Sequence, residues 1–188
     1  MDASIITVDQ DTSCILNRKT EDIKLSELAL AKKIGRQLIA TLKNNPSAGL
    51  AAPQIGYSRS VFVYSYDRDP SHLQVVINPS WEPIENNRIE GWEACFSGMS
   101  KDNKQRVAKL SRYAKIKVSY LTLEGEVVEK ILEGFAAKVF QHEVDHLQGI
   151  VNIQRKDAIV KVFDSEEDFL IFMENVKHQD AKSYKSHS

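Results

Sequence analysis

The chain is poor in most of what would take it away from an ordinary globular domain. With two cysteines, five prolines, eight glycines and two tryptophans in 188 residues, it is neither a disulfide-stapled mini-fold nor a collagen-like or proline-rich chain. No uninterrupted apolar run is long enough to span a bilayer, so no membrane partner is expected. The opening Met1-Asp2-Ala3-Ser4 is acidic and no apolar core follows it, which reads as neither a secretory nor a transit peptide and makes the cytoplasm the expected setting. A formal charge of −1 leaves no excess of either sign and removes the general electrostatic argument for a nucleic-acid partner. What is present, 42% hydrophobic and 27% charged residues, suits one domain with a sizeable core.

Scarce cysteine narrows the chemistry further. Cys14 and Cys95 can form one disulfide, but in a reducing compartment a thiol is more often buried, catalytic or metal-bound. Cys14, between Ser13 and Ile15, reads as a small buried hydrophobe. Cys95 is better placed for chemistry.

The stretch Phe140 to Gly149, F-Q-H-E-V-D-H-L-Q-G, is the strongest local signal. His142 and His146 are four apart, which on a helix sets their Cβ atoms about 5–6 Å apart on one face, within reach of a shared metal ion. Glu143 beside them suits a general base acting on metal-activated water. Phe135, Val139 and His142 recur at helical spacing, so the metal face is expected on the buried side, and Gly149 supplies a C-terminal stop. A catalytic site needs a third protein ligand. Downstream of His146 only Asp157, an acidic run, His178 and His187 are available, and Cys95 upstream is the better candidate.

Around this motif the chain divides into recognisable pieces. Residues 1–24 read as an irregular arm. A helix is expected from Ser26, capped by that serine, with Leu28, Ala31, Leu38 and Leu42 on one stripe and an end at Asn44-Asn45-Pro46. Ser47 to Gly56 is dense in small residues, which serves either tight packing or close approach to a ligand, with Gln54 able to steady a developing oxyanion. Val61 to Tyr64 and Val75 to Pro79 read as strands, Trp81 to Trp92 as a polar connection, and Gly98 to Arg112 as a basic solvated loop without nucleic-acid stacking character. Ile116 to Leu132 forms a hairpin turning at Glu124-Gly125. Ala158 to Phe163 is an apolar docking stretch, and a helix starts after Ser165 with Phe169, Phe172, Met173 and Val176 on one side.

Three segments taken together resemble the peptide deformylase family. Its signatures G-x-G-x-A-A-x-Q, E-G-C-x-S and Q-H-E-x-D-H-x-x-G are matched by Ser47 to Gln54, Glu93 to Ser97 and Gln141 to Gly149, in that order. The resemblance implies an α+β fold with β-sheets wrapped around a central metal-binding helix, plus an N-terminal and a C-terminal helix. A single catalytic domain is expected over residues 1–176, and the polar composition of residues 177–188 reads as a disordered tail. The resemblance further implies that Cys95, His142 and His146 hold one divalent metal, Fe(2+) first and Zn(2+), Ni(2+) or Co(2+) as alternatives. Glu143 would shuttle the proton, and the Gln54 amide and Phe96 backbone N–H would hold the formyl oxygen. Gly49, Leu50 and Ala94 would line the peptide. The implied reaction removes the N-formyl group from the initiator methionine of nascent chains at the ribosome, through attack of metal-bound hydroxide on the formyl carbon, by a monomer.

The chain departs from the pattern at two small residues and one segment. Ser47 and Ala94 replace family glycines, which matters only where φ is positive. Residues 98–109 lack the usual Ile-Pro-Gly continuation, and their cations Lys101, Lys104, Arg106 and Lys109 lead to an expected preference for acidic residues downstream of the formyl-methionine. Arg112 either pairs with Glu93 or is solvated, and Asp145 is expected to serve structurally. A divergent homologue that binds metal and peptide without efficient turnover is the alternative.

Overall fold

A computed structural model describes residues 2–99 and 104–185. Its centre is helix α2, Gly134–Leu147, and two antiparallel sheets enclose it. The larger sheet has the order β1-β2-β3-β6-β7, built from Gly49–Ala51, Val61–Ser65, Leu73–Pro83, Lys115–Leu121 and Val127–Glu133. The smaller has the order β4-β5-β8, built from Arg88–Ala94, Gln105–Tyr113 and Ile159–Phe163. Helix α1, Leu28–Asn44, covers the far face of the larger sheet, and α3 spans Glu166–Lys185.

Strand alternation explains why β2 is buried on both faces. Successive side chains of β2 point to opposite sides, so Val61 and Val63 join the core against α1 while Phe62 and Tyr64 join the core against α2. On α2 the residues meeting that core are Ala137, Phe140, Val144 and Leu147, at helical spacing. Phe140 is fully buried and meets Phe62 and Tyr64 edge-on, with ring centroids 5.2 and 5.7 Å away. Each such pair adds about 0.5–1.5 kcal/mol beyond area burial. Truncating Phe140 to alanine would cost about 3–5 kcal/mol and loosen the helix that carries both histidines.

Helix α2 is tied to distant segments at its middle and just past its C-terminal end. Gln141, buried, accepts from the Tyr113 N–H at 3.0 Å and donates to the Tyr113 carbonyl at 2.9 Å, prolonging the β5 hydrogen-bond pattern into the helix. Past the C-terminal end Gly149 has φ +78°, and a Cβ there would lie 2.7 Å from the Arg18 nitrogen, so only glycine fits. Thr20 donates to the Leu147 carbonyl from both its N–H and its hydroxyl, at 2.9 and 3.1 Å. The irregular N-terminal arm is thereby fastened under the helix.

Several expectations are corrected. Arg88–Ala94 and Gln105–Tyr113 form paired strands where a polar connection and a solvated loop were expected, with Glu93 opposite Ala108 and Trp92 opposite Lys109. Leu25–Glu27 is a 3-10 turn and α1 starts at Leu28; Glu27, instead of Ser26, accepts from the Lys24 N–H at 2.9 Å. Cys14 is exposed in a left-handed turn at φ 55°, not buried, and both cysteines are free. Helix α3 runs past Val176 to Lys185, through most of the expected tail. Lys101 lies outside the described residues. Ser47 and Ala94 are not among the positive-φ positions, so neither needs the conformational freedom of the glycine it replaces.

Candidate metal centre

The small sheet and the helix bring the three expected ligands together. Cys95 follows β4, His142 and His146 sit one turn apart on α2, and one donor atom from each lies within 4.8 Å of the others. Cys95 Sγ is 3.2 Å from His146 Nε2, and the two imidazole centroids are 5.0 Å apart. Sulfur with two imidazole nitrogens is a donor set for iron or zinc, not for magnesium or calcium.

Tautomer and orientation at His142 are set from behind. Its Nδ1 donates to Glu93 Oε2 at 2.8 Å, which leaves Nε2 for a metal. Glu93 is 5% exposed and receives Arg112 through Nε at 2.8 Å and Nη2 at 2.9 Å. Arg112 continues to Asp145 at 2.6 Å, and Asp145 receives Arg155 at 3.0 Å. Arg112 is therefore the buried partner of Glu93, and Asp145 the structural residue behind it. Burial opposes ionisation of Glu93, but the Arg112 charge and hydrogen bonds, with His142, hold its carboxyl well below the usual range. His146 differs: its Nδ1 is buried and has no hydrogen-bond partner.

Charge distribution fits a cation. Burial disfavours protonating His142, yet Cys95 and Glu93 outweigh it and hold the imidazole well above its ordinary value. Burial and the nearby His142 hold His146 well below. Positive charge at His142 is thus favoured by Cys95 and Glu93.

Glu143 is buried beside the histidines, and burial pushes its carboxyl up to about 7. Its Oε2 has no hydrogen-bond partner. Gly49, on the edge strand β1, lies so close that a Cβ there would sit 2.8 Å from the Glu143 Cδ. Gln54 is 2% exposed, accepts from the Ala51 N–H at 2.8 Å, and directs Nε2 to Ser97 Oγ at 3.1 Å and Cys95 Sγ at 3.6 Å. Phe96 opens the 3-10 turn Phe96–Gly98, so its N–H has no acceptor within that turn. Ala94 is exposed at the end of β4. Leu50, expected among the peptide-lining residues, is fully buried against α1, which leaves only its backbone for a ligand.

The described cations of the basic segment each have a carboxylate partner. Lys104 pairs with Asp164 at 2.9 Å, Arg106 with Asp9 at 3.1 Å, and Lys109 with Glu90 at 2.9 Å. Arg106 also donates to the Gly98 and Met99 carbonyls. Residues whose part was not read from the sequence include Gln141, Ser97 and Asn152, whose Nδ2 donates to the Glu93 carbonyl at 2.9 Å. Ser97 lies inside a recognised motif; for Asn152 the sequence carries no signal.

An α+β shell around a helix that presents two histidines one turn apart, closed by a cysteine from the strand layer, defines a class of mononuclear metal-binding proteins. Comparison with known proteins narrows it. Residues 3–162 match the polypeptide deformylase family. The chain is 36% identical over 141 residues to the peptide deformylase of Thermotoga petrophila, covering 75% of this chain and 80% of that one. With the Aquifex aeolicus peptide deformylase it shares 38% identity over 147 residues, 75% and 81% of the two chains. The Thermotoga maritima peptide deformylase crystal structure superposes with a TM-score of 0.70 at 32% identity, covering 82% of this chain and 97% of that one. The chain belongs to the polypeptide deformylase family.

Proposed function

We propose that this chain removes the N-formyl group from the formyl-methionine at the start of newly made polypeptides, with one divalent metal ion held by Cys95, His142 and His146. The observation that carries the reading is the meeting of three donor atoms within 4.8 Å beside Glu143, a buried carboxylate with an unpartnered oxygen. An ion bound there supplies Lewis acidity and makes water nucleophilic near neutral pH.

The chain's own residues do the rest. Glu143 takes a proton from the water as its oxygen attacks the formyl carbon, then gives that proton to the amine as the C–N bond breaks, releasing formate and a free methionine amino group. The Gln54 amide and the Phe96 N–H donate to the formyl oxygen, where negative charge develops. The outer edge of β1 at Gly49 offers backbone groups to an incoming peptide, which adds as a further strand. Ala94, exposed at the end of β4, would line the peptide as well. A peptide deformylase from Acinetobacter baumannii, 28% identical and superposing with a TM-score of 0.72, has been solved with Met-Ala-Ser bound, which supports a methionine-first peptide here.

Iron in the ferrous state is our reading of the ion, with zinc, nickel or cobalt accepted by the same donors. The protein acts as a monomer in the cytoplasm on chains leaving the ribosome. Formate release from formyl-Met-Ala-Ser by metal-loaded protein is the test. Full metal occupancy with no formate above background would sink the enzymatic reading and leave a metal- and peptide-binding homologue.

A further inference from the structure

We propose that Ser97 is a positioning residue which, with the N-terminal arm, decides which end of the Gln54 amide faces the metal centre. The inference rests on the deformylase reading above. It concerns an ambiguity that any catalytic glutamine has to resolve. The oxygen and nitrogen ends of an amide have nearly the same shape, but only the nitrogen end can donate to a developing oxyanion; the oxygen end repels it.

The surrounding bonds admit one orientation. The Ala51 N–H, 2.8 Å from Gln54 Oε1, can only donate, so it demands the oxygen. Ser97 Oγ, 3.1 Å from Nε2, is a hydroxyl with one proton, and that proton goes to the Ile6 carbonyl at 2.7 Å. Toward Gln54 the hydroxyl is therefore an acceptor and demands the nitrogen. A flipped amide would set oxygen against lone pair and N–H against N–H. With one amide hydrogen held by Ser97, the other is directed to the side of Cys95, whose Sγ lies 3.6 Å away.

The arm keeps this arrangement in register. The Ile6 N–H donates to the Gln54 carbonyl at 2.8 Å and the Val8 N–H to the Ser97 carbonyl at 2.9 Å, so two arm residues, alternating along the chain, bridge the two turns that supply Gln54 and Cys95 to Ser97. Ser97 has no solvent exposure, so no water can substitute for the Ile6 carbonyl.

Ser97→Ala, Ser97→Thr and Ile6→Pro, prepared with zinc, test the proposal. Expected for Ser97→Ala is unchanged metal content, KM within about twofold, and kcat lower by about 10- to 100-fold, a fraction of what losing an oxyanion donor costs. Ser97→Thr, which keeps the hydroxyl, should recover most of it. Independently of turnover, the Gln54 side-chain amide in ¹⁵N-glutamine-labelled protein should give two well-separated, slowly exchanging proton signals in wild type. In Ser97→Ala and in Ile6→Pro, which lacks the N–H that anchors Gln54, those signals should move toward the shifts of a free glutamine amide and exchange faster with water. Gln54 signals identical in wild type and in whichever of the two variants folds would overturn the proposal, as would Ser97→Ala with wild-type kcat. If wild type releases no formate, the deformylase reading falls, and the amide spectra still decide whether Ser97 orients Gln54.

Discussion

Gly49 and Glu143 share one space: the strand edge runs so close to the carboxylate that a single added methyl would collide with the Glu143 Cδ, 2.8 Å away, and with its Oε1. Contacts under 3.0 Å force something to shift, and the side chain is softer than the strand. Gly49→Ala is expected to displace Glu143 and lower formate release by about 10²-fold, the scale of a 1 Å misplacement of a reacting group, while metal content stays normal. Turnover within a factor of two of wild type would show that the carboxylate works from another position.

Glu143→Gln keeps the size of the side chain and removes its basicity. Since Glu143 is not among the three converging ligands, the variant should retain its metal and lose at least about 10²-fold in kcat, the lower end of a general-base contribution. Elemental analysis and formate assays on one preparation separate the two effects.

Arg112→Met leaves the Glu93 carboxylate buried without its counter-charge. Breaking a buried pair in this way costs about 3–5 kcal/mol of stability. Because Glu93 also orients His142, metal affinity should fall by about 10- to 100-fold. Thermal melts and competition with a chelator measure the two losses.

Acid should unfold the metal-free protein through Glu93. Its folded pKa lies well below the ordinary 4.5, so the stability it contributes is present above that value and is lost as pH falls below it. Melting temperatures between pH 6 and pH 3 should therefore drop steeply in wild type and less steeply in Glu93→Gln. Parallel curves for the two proteins would assign the acid sensitivity to other carboxylates.

Formyl-methionyl peptides with acidic or basic second and third residues should turn over within about threefold of each other at low salt, since paired surface charges project little field. The preference for acidic sequences expected from the run of cations would then be absent. Lys104, Arg106 and Lys109 each already face a carboxylate, at Asp164, Asp9 and Glu90.

The metal helix and the β6–β7 hairpin are legible in the sequence because each buries an apolar face at its own period, and Gly149 and the Glu124-Gly125 turn mark their ends. Strand β5 is not. Its inward positions include Arg112, and opposite it β4 turns Glu93 inward, so charge stands where an alternating pattern would show hydrophobes. Those charges are tolerated only because they meet each other and Asp145, a pairing between residues 19 and 33 apart that no local window reveals. Cys14 misleads for the opposite reason: a small apolar residue type was read as core, but the turn from Asp11 is held by the Asp11 carboxylate accepting the Ile15 and Leu16 N–H groups, which keeps Cys14 outside. At the candidate centre the three converging donors and Glu143 stand in motifs that spacing and resemblance single out, whereas Ser97 gains its part only from an arm some 90 residues upstream.

Cys95 and His146 are 51 residues apart and belong to different layers, one to the end of the small sheet and the other to the helix that packs on the large sheet. An ion shared between them is a removable cross-link that closes a long loop, and such closures restrict the chain most when the loop is long. Chelation should then be felt as breathing between layers: amide hydrogens of β4, β5 and β8 would exchange faster while those of β2, buried on both faces, keep their protection.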